Sequence, residues 1–227
     1  MKHTILRQFI FGVALLVSSN AFAADVRIIH GIDGRDLKQA RRLPVDISVN
    51  GTCLLKGVTF KRIAQVELEA GSYEVKVFAA SGSCTGSPVI EETVEISPEN
   101  EGNSFSLVAS LNSSGTPQLA VFQNSGNRWG APGVTIRHVA KAGAVTTRIG
   151  TREFGTTTPP FVDTITNGQE ATRLVFGSRF QYRASIDSGR QRPVVRLTGK
   201  VNKALRVFYV VGSAANGFSI ISETIKD

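Results

Sequence analysis

The sequence predicts an all-β fold of two tandem β-sandwich domains, on the strength of three observations. Short segments such as VDISVN and SYEVKVFAA alternate between apolar and polar residues, which is the period of a half-buried strand. Glycine, asparagine, serine and proline separate these segments at regular intervals, as they do in sandwiches and barrels. The third observation is a repeat, because VRIIH at residues 26–30 returns as VTIRH at residues 134–138.

Residues 1–23 are predicted to be a secretory signal peptide. Lys2 and Arg7 precede and flank the start of the short apolar run FIFGVALLV, and small residues follow at Ala21 and Ala23. This order of charged, apolar and small residues is typical of a cleaved export signal. The apolar run is also too short to span a bilayer comfortably. We expect cleavage after Ala23, a periplasmic or secreted mature chain, and no transmembrane segment.

The repeat divides the mature chain into a first domain at residues 24–123, a linker at 124–133 and a second domain at 134–227. The linker, NSGNRWGAPG, is rich in glycine and asparagine and holds the only tryptophan, Trp129. Trp129 either packs against a domain edge and fixes the interdomain angle, or stacks on a ligand at the junction. The first interpretation is favoured, because large aromatic side chains tend to be buried.

Each copy of the repeated strand ends in a histidine, His30 or His138. Side chains alternate along a strand, so His30 shares a face with Val26 and Ile28. We therefore expect both histidines to be structural residues at strand ends. In the first domain Asp46, on the next strand, is expected to accept the N–H of His30, so that neither polar group is buried without a partner.

The segment GRDLKQARRL after the first histidine strand adds positive charge to a slightly acidic domain. It is predicted to form a short helix with Leu37 and Ala40 facing inward. Either it is a mobile basic loop or it contacts a partner through four side chains: Arg35, Lys38, Arg41 and Arg42.

Cys53 and Cys84, the only cysteines, both lie in turn-like stretches rich in glycine and serine. An oxidising compartment would join them, so a structural disulfide is predicted. A redox pair or a metal site is the alternative, but there is no C-x-x-C pair and no third thiol.

Three stretches, VRIIH, PVDISVNG and LEAGSYEVKVFAA, resemble the bacterial domain of unknown function 4397. The first copy matches well, whereas the second is divergent and has Thr146 where the first has Asp46. The resemblance implies an exported chain, often with tandem copies, and sandwiches of immunoglobulin- or transthyretin-like type. It implies no reaction.

Charge distinguishes the two halves. Residues 24–130 hold ten Lys/Arg and twelve Asp/Glu, whereas residues 131–227 hold fourteen Lys/Arg and six Asp/Glu. Arginine forms bidentate contacts with carboxylate, phosphate and sulfate. Alternation places three arginines outward and two more in a turn, and if their strands are neighbours they form a basic patch: Arg183, Arg196, Arg206, Arg190 and Arg192. A merely solvated face is the alternative.

The sequence lacks the motifs of catalysis and metal binding. There is no G-x-S-x-G turn, phosphate-binding loop, dinucleotide fingerprint or calcium loop, and no cluster of metal ligands. We expect no cofactor, no metal and no enzymatic activity, with a hydrolase at an unrecognised site as a minor alternative.

The expected function is therefore a non-catalytic binding or structural role. Expected partners are anionic polysaccharide, lipopolysaccharide or an acidic protein surface. The alternative is a protein that assembles with copies of itself, and the oligomeric state is open. Nucleic acid is not expected, because neither the compartment nor the placement of aromatic residues suits it.

Overall fold

The computed structural model describes residues 23–97, 104–124, 132–153, 156–175, 179–188 and 195–226. Within these ranges the chain is built from strands, with a single short 3₁₀ helix at Gly34–Leu37. The sheets pack in pairs, so the predicted all-β fold of β-sandwiches is confirmed. Trp129 lies outside the described residues.

The first sandwich consists of two four-stranded sheets, with strand orders β4-β1-β7-β8 and β3-β2-β5-β6. Its strands are β1 (Ala24–His30), β2 (Val45–Val49), β3 (Thr52–Val58), β4 (Ile63–Leu68), β5 (Gly71–Ala79), β6 (Ile90–Ile96), β7 (Ser104–Leu111) and β8 (Pro117–Gln123). The two sheets face each other across a core of aliphatic side chains, including Val26, Ile28, Ile47 and Leu107.

The second sandwich has the same succession of strands. Its strands are β9 (Gly133–His138), β10 (Val145–Glu153), β11 (Thr156–Thr157), β12 (Phe161–Ile165), β13 (Gln169–Leu174), β14 (Arg179–Asp187), β15 (Val195–Asn202), β16 (Leu205–Ser213) and β17 (Gly217–Ile225). One sheet has the order β13-β9-β16-β17. The other has the order β11-β10-β14-β15, with β12 also paired to β10.

A third apolar layer joins the two sandwiches back to back. Ile29 and Val108 of the first sandwich are fully buried against Val207, Tyr209 and Val211 of the second. The sheets that contain β1 and β9 are therefore inner sheets, buried on both faces, and the sheets that contain β2 and β10 are outer sheets. This arrangement explains the nearly continuous apolar run of β16, since a strand buried on both faces has no polar side.

The layer between the sandwiches also buries charge. Arg137 on β9 is only 1% exposed. Its guanidinium donates to Glu170 Oε2 at 2.7 Å, Asn124 Oδ1 at 2.7 Å and the Gln123 carbonyl at 3.1 Å. It also lies 4.6 Å from the ring centre of Phe122. A buried guanidinium is tolerated only when its donors are paired, and these partners come from both sandwiches.

A second ion pair crosses the same layer. Arg27 of β1 contacts Glu223 of β17 at 3.0 Å, and Glu223 also accepts from the hydroxyl of Tyr209. Burial raises the pKa of Tyr209, so the phenol stays neutral and donates. The two sandwiches thus meet through apolar packing and a polar network together, which fixes how the outer sheets are placed.

Candidate functional site

The exposed face of the outer sheet in the second sandwich carries a group of cations. Along β14 the residues Phe180, Tyr182, Ala184 and Ile186 point into the core, so the residues between them point outward. The same alternation applies to β10 and β15, the neighbours of β14. We call five outward side chains of these strands the basic face: Arg148, Arg152, Arg183, Arg196 and Lys200.

Strand register arranges the basic face in three rows that cross the sheet. The first row is Arg148–Ser185–Arg196, the second is Gly150–Arg183–Thr198, and the third is Arg152–Gln181–Lys200. Four cations therefore occupy the corners of a rectangle, and Arg183 occupies its centre. Neighbouring strands lie about 4.8 Å apart, so the two sides of the rectangle are separated by about 10 Å.

The rows line a shallow groove of about 1130 Å³. One wall is formed by Thr157 of β11 and by Thr158 and Pro160 of the turn that leads to β12. Apart from the cations, the lining offers hydroxyl and amide groups, among them Ser185, Thr198 and Gln181. The groove can therefore make charge-assisted hydrogen bonds to an anion and neutral hydrogen bonds to the groups around it.

Little negative charge opposes the basic face within the described residues. Arg148 approaches Asp187 at 4.0 Å, a weak ion pair. No ion pair connects Arg183, Arg196 or Lys200 to any other described side chain. Like charges on neighbouring strands repel one another, so this arrangement is unfavourable for the sheet itself. It becomes favourable when an anion is bound.

The family comparison matches the earlier part of the chain. The model of a domain of unknown function, DUF4397, matches residues 24–148, which is more than half of the sequence. The chain belongs to the DUF4397 family. No curated protein matches it. The DUF4397 match includes the whole first sandwich and the first strand of the second, and it ends at Arg148 on β10. Four of the five residues of the basic face therefore lie beyond the matched region.

Sequence alternation located two residues of the basic face and missed three. Arg183 and Arg196 lie on adjacent strands, as the predicted patch requires. Arg148, Arg152 and Lys200 were missed, although alternation in VTTRIGTRE and VRLTGKVN places them in step with the others. Arg190 and Arg192 lie outside the described residues.

The outward placement of Arg206 was wrong. Arg206 lies on β16 of the inner sheet, on the same side as Phe208, which belongs to the core of the second sandwich. It is half-buried, donates to Thr224 and Ser222, and lies 5.5 Å from the Phe208 ring centre. The apolar residues that alternate with Arg206, namely Leu205, Val207 and Tyr209, suggested that Arg206 is exposed, but they pack in the layer against the first sandwich.

Both histidines are fully buried in the DUF4397 region, and the expected pairing of His30 with Asp46 was wrong. His30 Nε2 bonds to the Leu43 carbonyl at 2.8 Å, while its Nδ1 accepts from the Ile32 amide at 3.4 Å. His138 has the equivalent contacts, to the Gly143 carbonyl at 2.7 Å and from the Ala140 amide at 3.3 Å. Each histidine thus ties the end of its strand to the loop that follows. Burial lowers the pKa of both rings.

Asp46 holds the backbone around the disulfide instead. Its carboxylate accepts from the amides of Gly57, Ser81 and Gly82 at 2.8, 2.7 and 2.6 Å. Burial raises the pKa of Asp46, but these backbone hydrogen bonds outweigh burial and leave it below its usual value. The Cys53–Cys84 disulfide is present, with its Cα atoms 5.5 Å apart, so that prediction is confirmed.

The segment after His30 contacts the second sandwich of the same chain. The carboxylate of Asp36 accepts from Ser213 at 2.5 Å and Asn216 at 2.6 Å, and Arg35 donates to the Asn216 carbonyl at 2.9 Å. Arg35 also pairs with the buried Asp33, which lowers the pKa of that carboxyl. The contact of Arg35 with the second sandwich is therefore intramolecular. Arg41 lies 3.7 Å from the carboxylate of Asp33. All four cations of the segment are exposed: Arg35, Lys38, Arg41 and Arg42.

In the part of the chain that the structure describes, no group of three or more histidine, cysteine or acidic side chains is placed to hold a metal ion. In the same residues, no helix has both the length and the apolar character needed to span a membrane.

Proposed function

We propose that this protein is an exported, non-catalytic binding protein whose second sandwich binds anionic ligands of the cell envelope or its surroundings through the basic face. The observation that carries the proposal is the row register, which gathers five cations on three adjacent strands. Export rests on the signal-like residues 1–23. Anionic polysaccharide and the phosphates of lipopolysaccharide are the ligands that such a location offers.

The electrostatics of the basic face support binding better than mere solvation. A soluble face usually intersperses both signs of charge. Among the described residues, by contrast, Arg183, Arg196 and Lys200 form no ion pair, and Arg148 has only a weak contact with Asp187 at 4.0 Å. Four of the five are arginines, whose planar guanidinium matches sulfate, phosphate and carboxylate with paired hydrogen bonds. A row of such groups in a groove gives an anion several simultaneous contacts.

Self-assembly is a second candidate, favoured by a group of acidic side chains at the opposite end of the molecule. The outer sheet of the first sandwich carries Glu74, Glu91 and Glu95, with Lys76 bridging the first two at 2.9 and 3.1 Å. This acidic face lies at the far side of the four-layer stack from the basic face. A head-to-tail contact between copies would bring the two faces together.

The test uses the whole mature chain, because a separated second sandwich would expose the apolar layer around Tyr209. Heparin chromatography at graded salt compares the parent with an Arg183→Glu/Arg196→Glu variant. The variant should elute at clearly lower salt, because exposed charges act within a Debye length of about 8 Å at physiological ionic strength. The matched control, Lys56→Glu/Arg62→Glu, changes the net charge equally on the first sandwich and should elute close to the parent.

Equal losses in both double variants would show that only net charge matters, and would contradict a site on the basic face. Sedimentation at low salt separates the second candidate. If the parent associates without any ligand as its concentration rises, and Glu91→Lys/Glu95→Lys abolishes the association, self-assembly replaces ligand binding as the better account.

A further inference from the structure

Building on the proposed function, we infer that the basic face has two anion-binding sites, which we call seats, one over Gly150 and one over Thr198. The two seats share Arg183 and bind successive charged groups of one anionic glycan chain. Each seat is a low point between long cationic side chains. Arg148, Arg152 and Arg183 surround the first, and Arg196, Lys200 and Arg183 surround the second.

Gly150 provides the first seat. It lies in the interior of β10, where glycine weakens a strand and often marks the close approach of another group. A Cβ at this position would lie 3.7 Å from the Arg183 carbonyl oxygen and 4.0 Å from Pro160 Cβ, so no steric conflict requires glycine here. Its backbone does not adopt a positive φ either. The residue instead leaves room for a small group beside Pro160, among the outward side chains of the basic face.

Thr198 provides the second seat, at the mirrored position across β14. It is exposed and pairs with Arg183 in the register, while Arg196 and Lys200 precede and follow it on the same face of β15. Its short side chain leaves room above the sheet, and its hydroxyl can donate to an anion oxygen. Both seats therefore have three cations, and the seat over Thr198 has an additional hydroxyl.

The spacing of the seats defines the ligand. Gly150 and Thr198 are opposite the same residue on either side of β14, so their centres are about 10 Å apart, which is two inter-strand distances. One small anion can fill one seat only. A ligand that carries two charged groups at this separation can fill both, and the second contact is then intramolecular and strengthens binding without new residues.

The rest of the groove fits a glycan. Apart from the cations, the lining combines apolar residues, including Pro160 and Ala184, with hydroxyls and an amide. The polar groups of Ser185, Thr157 and Gln181 can bind sugar hydroxyls. Tyr182, the one aromatic side chain of the lining, is 8% exposed, so the groove has no exposed aromatic anchor of the kind that dominates protein interfaces. A sulfated, phosphorylated or uronate-bearing sugar chain satisfies both the charges and the hydroxyls.

A series of α,ω-alkane bisphosphonates with increasing spacer length tests the two-seat geometry directly. Calorimetric titration of the mature chain should find that affinity rises once the spacer allows the two phosphonate groups to lie about 10 Å apart. A bisphosphonate of that length should bind about tenfold or more tightly than the shortest bisphosphonate or methylphosphonate. Size-defined heparin oligosaccharides then test the glycan, and vesicles that carry a phosphorylated glycolipid test a lipid source. Free oligosaccharides should bind with the same dependence on length.

Two substitutions locate the seats. Gly150→Val fills the first seat with a residue that strands favour, so the long bisphosphonate should bind about tenfold more weakly while the fold is retained. Thr146→Val is the matched control, because it lies outward on the same strand but outside both seats, and it should bind as the parent does. Arg183→Gln should reduce affinity for the long ligand more than for methylphosphonate, since it serves both seats.

The outcomes separate the two proposals. If heparin binds through the basic face but affinity is independent of bisphosphonate spacing, or Gly150→Val binds as the parent does, the two-seat inference is wrong and the proposed function stands. If vesicles bind and free oligosaccharides do not, the glycan chain is the wrong occupant. If neither heparin nor the longest bisphosphonate binds at low salt, the proposed function fails together with the inference.

Discussion

Replacing Arg137 by methionine tests whether the buried polar network holds the two sandwiches together. Methionine retains most of the aliphatic stem but removes every donor of the guanidinium. The change leaves the Gln123 carbonyl without its 3.1 Å hydrogen bond and removes the 2.7 Å contact to Glu170. It also removes the cation–π contact with Phe122.

The expected loss follows from what each former partner can do. Breaking a buried ion pair typically costs about 3–5 kcal/mol, because it leaves the other charge uncompensated. Glu170 is 38% exposed and can be hydrated again, and Asn124 keeps its contact with Ser106. We therefore expect the free energy of unfolding to fall by about 2–4 kcal/mol, below the upper end of that range.

Urea denaturation followed by far-ultraviolet circular dichroism measures this loss. The parent should unfold in one transition, because the shared layer couples the sandwiches. Arg173→Met is the control, since Arg173 lies on the neighbouring strand β13 and is only half-buried, and it should cost less than about 0.5 kcal/mol. If Arg137→Met also costs less than about 1 kcal/mol, the network does not hold the sandwiches together, and our reasoning about the buried charge is wrong.

Two further predictions concern the disulfide and the histidines. Reduction of the Cys53–Cys84 disulfide opens a loop whose ends are 31 residues apart, and should lower the free energy of unfolding by about 3–4 kcal/mol on the chain-entropy account. Urea titrations with and without reductant would measure this loss, and unchanged stability would contradict the prediction. Burial lowers the pKa of His30 and His138 in the folded state, so the unfolded chain binds protons more readily and stability should fall as the pH drops below about 6.5. Thermal unfolding between pH 8 and 5 should show a shallower decline in His138→Gln, and equal slopes would refute the assignment.

The sequence predicted the strands well because alternation reports a single buried face. It placed Val26 and Ile28 in the core and pointed Arg183 and Arg196 outward, which the structure agrees with because each outer strand has one solvent-exposed face. Alternation failed for Arg206 and gave no warning about Arg137, because the inner strands are buried on both faces. The continuous apolar run LRVFYVV was the available signal.

The partners of the buried polar groups could not be predicted in the same way. His30 binds a backbone carbonyl of a loop, and Asp46 binds backbone amides near the disulfide. Every residue has such groups, so no sequence pattern marks which of them will be close. The two-seat arrangement depends on register, which relates Gly150 to Arg183 and Thr198 across three strands and is fixed only once those strands are paired.

The layer between the sandwiches has a consequence for the order in which the chain is made. Strand β8 ends at Gln123 and β17 ends at Ile225, so the first sandwich is complete well before its cover exists. At about 5–20 residues per second, synthesis of the intervening chain takes roughly 5–20 s. During that interval Ile29, Val108 and Phe122 form an uncovered apolar surface on the nascent chain, so a chaperone that binds this surface would protect the chain from aggregation until the second half arrives.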